Sequence, residues 1–215
     1  MTSERNGKKI STQTVERLSL YRKILEGLHN EGVTHVYSHQ LAKLVAVTPA
    51  QLRRDLASFG SFGNISKGYN VYQMILTLSR LLGTDTIQPV ALIGMGNLGR
   101  AILAYRGFEE RGFHIAVVFD VDSEKVGRVF AGRRCFHIKD LETVLPDYQP
   151  TIAILACSSQ GLQSIVDRLG KAGVRGIVNF VPKKIHPLKD MHVEDVDISD
   201  KMEKLSFLLR SNKAG

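Results

Sequence analysis

The stretch VALIGMGNLGRAI, residues 90–102, constrains this chain more than any other. An apolar run ends at Gly94, three glycines follow as G-x-G-x-x-G at Gly94, Gly96 and Gly99, and a helically spaced segment begins at once. That order, strand then glycine turn then helix, is the context in which the pattern has physical meaning. Gly94 permits a sharp turn, Gly96 lets the backbone come close to a pyrophosphate, and Gly99 lets the helix lie against the strand. Met95, Asn97 and Leu98 complete the loop, and the new helix aims free N–H groups and its positive end at the phosphates. Asp120 closes the next apolar run about twenty residues on. Its carboxylate accepts from a ribose 2′-OH and repels a 2′-phosphate, which favours NAD(H) over NADP(H), and Asp122 shares that role.

From Gln88 the rhythm is strand and helix in alternation. The expected strands are VALIG (90–94), HIAVVFD (114–120), RCFHI (134–138), TIAILAC (151–157), GIVNFV (176–181) and MHVEDVDI (191–198). Near-continuous apolar strands between helices predict a parallel sheet covered on both faces, a Rossmann-like α/β domain over 90–198. A final helix, Ser199 to Arg210 within a 199–215 segment, carries Met202, Leu205, Leu208 and Leu209. That stripe needs a cover, from its own sheet or from a partner subunit.

Residues 1–82 read as helices instead. Val15, Leu18, Leu25 and Leu28 recur at helical spacing, Ser38 is placed to cap a second short helix, and Thr48-Pro49 opens a third. In the third, Leu52, Leu56 and Phe59 face inward, Gln51 and Arg54 face out, and Arg53 lies on the flank. The stretch GSFGNISKGYN then reads as a hairpin or loop, and Asn70 to Leu82 resumes helical spacing. Helix, turn, helix and a small wing make a winged helix-turn-helix, in which an outward arginine can donate two hydrogen bonds to a guanine. A plain three-helix dimerisation bundle fits the same spacing. The link between the two segments is GTDTIQP, 83–89.

Charge separates the segments. Residues 1–85 carry 11 Lys/Arg against 6 Asp/Glu, and residues 86–215 carry 18 against 15. The first segment is therefore the anion binder of the two. Two cysteines, Cys135 and Cys157, make neither a disulfide framework nor a zinc site, so a reducing cytoplasm is expected and no metal. The polar start MTSERNGKKI predicts no signal peptide, and no apolar run approaches the ~18 residues of a membrane span. Candidates for catalysis are poor: none of the seven histidines stands in a motif, and Ser158 and Ser159, between strand and helix, are expected as N-caps. Cys157 ends a strand on the ligand side of the sheet, where a thiol would lie near a nicotinamide. The residues alone leave three readings: a dinucleotide-responsive DNA-binding protein, a small NAD-dependent oxidoreductase with a helical dimerisation domain, and a coenzyme A-binding module.

The combination resembles the Rex redox-sensing transcriptional repressors. The resemblance runs in order through LAKLVAVTPAQLRRDLASFGSFG, GYNV, ALIGMGNLGRAI, FDVDSEKVG, IVDRLGKAGVRGIVNFVP and VDIS. It implies a homodimer that binds palindromic operator DNA when NAD+ predominates. NADH closes the dimer, misaligns the recognition helices and releases the DNA. It also implies that the last helix swaps onto the partner, that Arg53 and Arg54 touch the operator, and that Arg17, Tyr105 and Asp197 exchange partners between the two states. This sequence departs from the family at two places. Asn64-Ile65-Ser66-Lys67 replaces a Lys-Arg-Gly tract, leaving Lys67 as the nearby DNA-directed cation of the wing, and Ala156-Cys157-Ser158 replaces Thr-Val-Pro.

Overall fold

A computed structural model describes residues 2–5, 8–59 and 68–211, and the chain divides into two compact units, Met1–Thr86 and Ile87–Gly215. In the first, β1 (Thr2–Arg5) and β2 (Lys8–Ser11) pair antiparallel and lead into α1 (Thr12–Asn30), whose first turn is capped by the Ser11 hydroxyl accepting from Thr14 N–H at 3.2 Å. Two-residue strands β3 (His35–Val36) and β4 (Tyr69–Asn70) pair antiparallel. Between them lie α2 (Ser38–Leu44) and α3 (Pro49–Ala57), and α4 (Val71–Leu82) follows, ending at Gly83 in the left-handed region with φ 67°. Leu18, Tyr21 and Leu25 of α1, Leu41 of α2, Leu52 and Leu56 of α3, and Met74 and Leu78 of α4 form one buried core.

Two local expectations meet different outcomes here. Thr48 caps α3, its hydroxyl accepting from Gln51 N–H at 3.1 Å, with Pro49 at the first helical position. Ser38 does not cap α2. The N-cap is Tyr37, whose N–H donates to the Gln40 side chain at 2.9 Å, because α2 starts one residue early and places Ser38 inside it. The residues expected in a wing, Asn64, Ile65, Ser66 and Lys67, lie outside the described residues.

The second unit is built on a seven-stranded sheet. Its strands are β5 (Gln88–Ile93), β6 (Phe113–Asp120), β7 (Val129–Phe130), β8 (Arg133–His137), β9 (Ile152–Leu155), β10 (Gly176–Asn179) and β11 (His192–Asp195). Their spatial order is β11-β10-β9-β5-β6-β8-β7. All pairs are parallel except β7 with β8, a two-residue antiparallel edge that periodicity cannot detect. Helices α5 (Asn97–Ala104), α6 (Leu141–Tyr148) and α7 (Leu162–Lys171) cross between strands, and α8 (Ile198–Ser211) ends the chain. Alternation along β5 explains the two-sided burial: Ala91 and Ile93 join the core under α6 and α7, while Val90 and Leu92 join the core under α5. The order of strands reverses between β5 and β9, the switch point where parallel sheets open a crevice at their carboxyl ends. Along α8, Ile198, Met202, Leu205, Phe207, Leu208 and Leu209 are all exposed. No helix of the described residues is long and apolar enough to cross a membrane.

Leu52 is fully buried and joins α3 to the core of the first unit. Leu52→Ala is expected to cost about 2–5 kcal/mol, read as a lower urea midpoint by circular dichroism. An unchanged midpoint would show that α3 is held by other means.

Candidate functional site

At the switch point β5 gives way to the glycine turn. Gly94 takes φ +101°, and its N–H donates to Phe119 O at 2.7 Å. A Cβ there would stand 2.5 Å from Ala156 O and 2.8 Å from Cys157 Cα, so the turn passes directly against the end of β9. Gly96 is the N-cap of α5, and the space where its Cβ would sit is open. At Gly99 a Cβ would run into the Gly94 carbonyl, which is how α5 comes to lie on the turn. Asn97 and Leu98 are exposed at the helix start. Met95 corrects an expectation: its side chain is fully buried in the core, and its N–H is bonded to Asp120. It holds the loop and presents neither group to a ligand.

A cleft of about 220 Å³ opens here, lined among others by Gly94, Gly96, Asp120, Lys125, Cys157 and Gln160. The Asp120 carboxylate is 7% exposed. Its Oδ2 accepts from Met95 N–H at 2.6 Å and from Lys125 Nζ at 3.3 Å, and its Oδ1 accepts from Asp122 N–H at 2.9 Å. A carboxylate offers about four acceptor positions, so one on Oδ1 is left for a ribose hydroxyl. Asp122 accepts from Glu124 N–H at 2.9 Å, and that bond, with Lys125 Nζ at 3.2 Å, holds its carboxyl below the usual range. Partial burial works against the charge on Lys125, but Asp122 and Asp120 outweigh it and keep the ammonium above its ordinary value. Sequence reasoning missed Lys125. Its signal was the spacing of DVDSEK, which returns a lysine to the two carboxylates within one turn.

The remaining lining includes Cys157 and Ser158. Burial pushes the Cys157 thiol up, away from the thiolate that a reactive cysteine needs. Ser158 and Ser159 are not helix caps: α7 starts later, and its N-cap is Gly161 in the left-handed region. None of the seven histidines lines the cleft. His114 faces Glu109 and Arg133, and His137 accepts from Lys139 N–H at 3.0 Å. Among the described residues no group of His, Cys, Asp and Glu is placed to hold a metal ion.

In the first unit, α3 presents Arg53 and Arg54 to solvent, with Gln51 half-buried beside them. Arg53 Nη1 donates to the Ser38 hydroxyl at 3.3 Å, and Arg54 Nη2 donates to Gln51 Oε1 at 3.1 Å. Behind them is a carboxylate that the sequence reading passed over. Asp55 is 3% exposed and accepts from Arg17 Nε at 2.7 Å, Arg17 Nη2 at 2.8 Å, Tyr21 OH at 2.7 Å and Gln51 Nε2 at 2.8 Å. Burial alone would push this carboxyl up, but the bonds from Arg17, Tyr21 and Gln51 outweigh it and hold it below the usual range. Arg17 is raised above its ordinary value by the same bonds, and Tyr21 is raised by burial and by Asp55.

Of the three residues expected as a switch, Arg17 is therefore a bidentate partner of Asp55 within the first unit. Tyr105 and Asp197 belong to the second unit and line separate cavities. Tyr105 is 60% exposed and packs edge-on against Phe108, with ring centroids 5.0 Å apart. Asp197 Oδ1 accepts from Ser199 N–H at 2.7 Å at the start of α8.

Comparison with known proteins covers nearly the whole chain. A family model described as a CoA binding domain matches residues 85–183, and one described as a putative DNA-binding protein N-terminus matches residues 9–57. The chain is 41% identical over 204 residues to the redox-sensing transcriptional repressor Rex of Carboxydothermus hydrogenoformans, covering 95% of this chain and 98% of that protein. Among solved structures it is similar to RSP, a Rex-family repressor, in complex with β-NAD+ and operator DNA, at a TM-score of 0.89 and 32% identity, covering 95% and 94% of the two chains. The complex of RSP with β-NADH gives a TM-score of 0.85 at 31% identity, covering 95% and 96%.

Two tests follow from this geometry. Gly99→Ala forces a carbon onto the Gly94 carbonyl and is expected to lower Tm by several degrees, whereas Gly96→Ala enters open space and leaves Tm within about a degree. Equal melting of the two variants would contradict the close approach at Gly99. The second test concerns pH. Asp55 has a depressed folded pKa, so its contribution to stability is complete above the unfolded value of about 3.9 and fades as pH falls below that through the folded value. The stability advantage of the native chain over Asp55→Asn in urea is thus expected to shrink as pH falls below about 4. An advantage that does not shrink as the solution is acidified below that pH would show that ionised Asp55 is not what ties α1 to α3.

Proposed function

The chain belongs to the Rex family of redox-sensing transcriptional repressors, and from that premise we infer that it represses transcription by holding operator DNA and letting it go when NADH binds. One observation carries the ligand part of this reading. The glycine turn leaves open space at Gly96, and the carboxylate at the end of the second parallel strand keeps one acceptor position for a ribose hydroxyl. Residues Gly94, Gly96, Asn97, Leu98 and Gly99 would hold the pyrophosphate, and Asp120, steadied by Met95 N–H and Lys125, would hold the adenosine ribose. When bound, the nicotinamide supplies the redox signal, and the protein's own part is to bind the two forms unequally.

The DNA part rests on α3. Arg53 and Arg54 stand exposed on its outer side, Gln51 lies between Arg54 and Asp55, and Lys67, expected in the wing from the sequence, adds a further cation. We assign no chemical step to the cleft. Asp120 and Lys125 neutralise one another, and a thiol pushed up by burial is a poor nucleophile at neutral pH. The protein works in the cytoplasm, as a homodimer in which α8 of each copy covers the other and so buries Met202, Leu205, Leu208 and Leu209. Two-fold symmetry then requires a palindromic operator.

Release is a population shift. The arrangement that cannot hold the operator must bind NADH more tightly than the one that can, and only that difference moves the equilibrium. A tenfold loss of operator affinity needs a differential of about 1.4 kcal/mol. Arg17, Tyr105 and Asp197 are assigned to the exchange of partners between the arrangements.

A coenzyme A site is the second reading, favoured by the description of the family model over residues 85–183. The carboxylate of Asp120 speaks against it, since coenzyme A carries a phosphate on the ribose carbon next to the hydroxyl that Asp120 would accept from. The deciding experiment is selection of genomic duplex fragments by the purified protein with NAD+, with NADH and with coenzyme A. A palindromic fragment kept with NAD+ and shed with NADH alone is expected. Shedding with coenzyme A instead, or retention of no fragment, overturns the reading.

A further inference from the structure

Asp55 is the most heavily bonded side chain of the recognition segment. Its four bonds, two from Arg17, one from Tyr21 and one from Gln51, fill all the acceptor positions a carboxylate has. In this arrangement it is held in one orientation, and α3 is tied to α1 at that point. The consequence passes outward through Gln51. Because the Gln51 NH2 group donates to Asp55, its amide is set one way round. A flip would bring its oxygen against a carboxylate oxygen. With the amide so oriented, Gln51 Oε1 faces Arg54 and accepts from its guanidinium at 3.1 Å. The spacings, Gln51 to Asp55 at i,i+4 and Gln51 to Arg54 at i,i+3, are those at which helix side chains meet.

We propose that Asp55 and Gln51 are positioning residues that hold Arg54 ready for a guanine edge, and that Gln51 does not itself read a base. Reading adenine with a glutamine takes both its NH2 and its oxygen, and here each already holds one bond inside the protein, which fixes the direction of the amide. Arg54 keeps donors free on an exposed, braced guanidinium, and a braced arginine loses less rotamer freedom when it meets the two acceptors of guanine. The inference rests on the operator-binding reading above.

The test is selection from randomised duplexes by the full-length native chain, Asp55→Asn and Tyr21→Phe. It is followed by anisotropy titration of the selected operator, of the operator with single base pairs changed, and of a scrambled duplex. The native chain is expected to require a guanine at one position per half-site. Asp55→Asn should lose about tenfold discrimination at that one position and Tyr21→Phe about threefold. Both should keep their affinity for the scrambled duplex and its salt dependence, which report phosphate contacts. Tyr21→Phe removes a single hydroxyl and keeps the shape of the core, so it carries the test should Asp55→Asn fail to fold. The proposal is overturned if the folded variants discriminate as the native chain does, or if discrimination falls alike at every position, as it would from loosened structure alone. It is also overturned if the native chain requires adenine where only a Gln51 substitution relaxes the choice. Failure of the native chain to select any duplex removes the repressor reading itself, and this proposal with it.

Discussion

The second unit depends on a contact that leaves room for hydrogen and nothing larger. Gly99 lies so close to the Gly94 carbonyl that a side chain there would displace the helix from the turn. That approach sets where α5 begins, and so where its unpaired N–H groups point. Gly94 in turn passes against Ala156 and Cys157, so the two strands that flank the reversal of strand order are locked at their carboxyl ends. The crevice, the open backbone at Gly96 and the position of Asp120 across from it all follow from these approaches.

Two buried carboxylates then do similar work in the two units. Burial of an ionised group is costly unless its acceptor positions are filled. Asp120 meets that demand with two backbone N–H groups and Lys125. Asp55 meets it with Arg17, Tyr21 and Gln51. The difference is in what is left over. Asp120 keeps an acceptor position at a cleft, which suits a residue that receives a ligand hydroxyl. Asp55 keeps none, which suits a residue that fixes others. Removing one partner from either would leave a charge in poor surroundings, so each hub resists partial disassembly more than an apolar contact would.

What was legible in the sequence was whatever a local pattern determines. Strand and helix rhythm, the glycine turn, the Thr48-Pro49 start of α3 and the acidic end of β6 are all set by neighbours within a few residues, and periodicity and capping chemistry read them. Misreadings came where competition between equal local options decides. Ser38 and Tyr37 compete to start α2, and the side chain of Gln40 settles it by bonding the Tyr37 N–H. Ser158 and Ser159 lose to Gly161 because the chain needs a left-handed residue before α7. Met95 sits in a ligand motif, yet its own residue type sends it to the core. Asp55 was invisible for another reason. Its partners Arg17 and Tyr21 lie 38 and 34 positions away, and on a helical wheel it reads as one more polar residue beside two arginines.

The arrangement of polar groups also bears on how such a cleft would hold a dinucleotide. A hydride-transferring site needs a group that gives or takes a proton at the reacting carbon's partner atom, with a pKa near the working pH. The cleft's charged groups are tied to each other: the Glu124 N–H and Lys125 lower the carboxyl of Asp122, and the bridge from Lys125 to Asp122 and Asp120 raises the ammonium. Both shifts move away from neutrality, and the thiol of Cys157 is moved up as well. Groups held firmly in one protonation state bind and orient well but relay protons poorly. A site of that kind presents a ligand with fixed charges, Lys125 lying between Asp120 and Asp122.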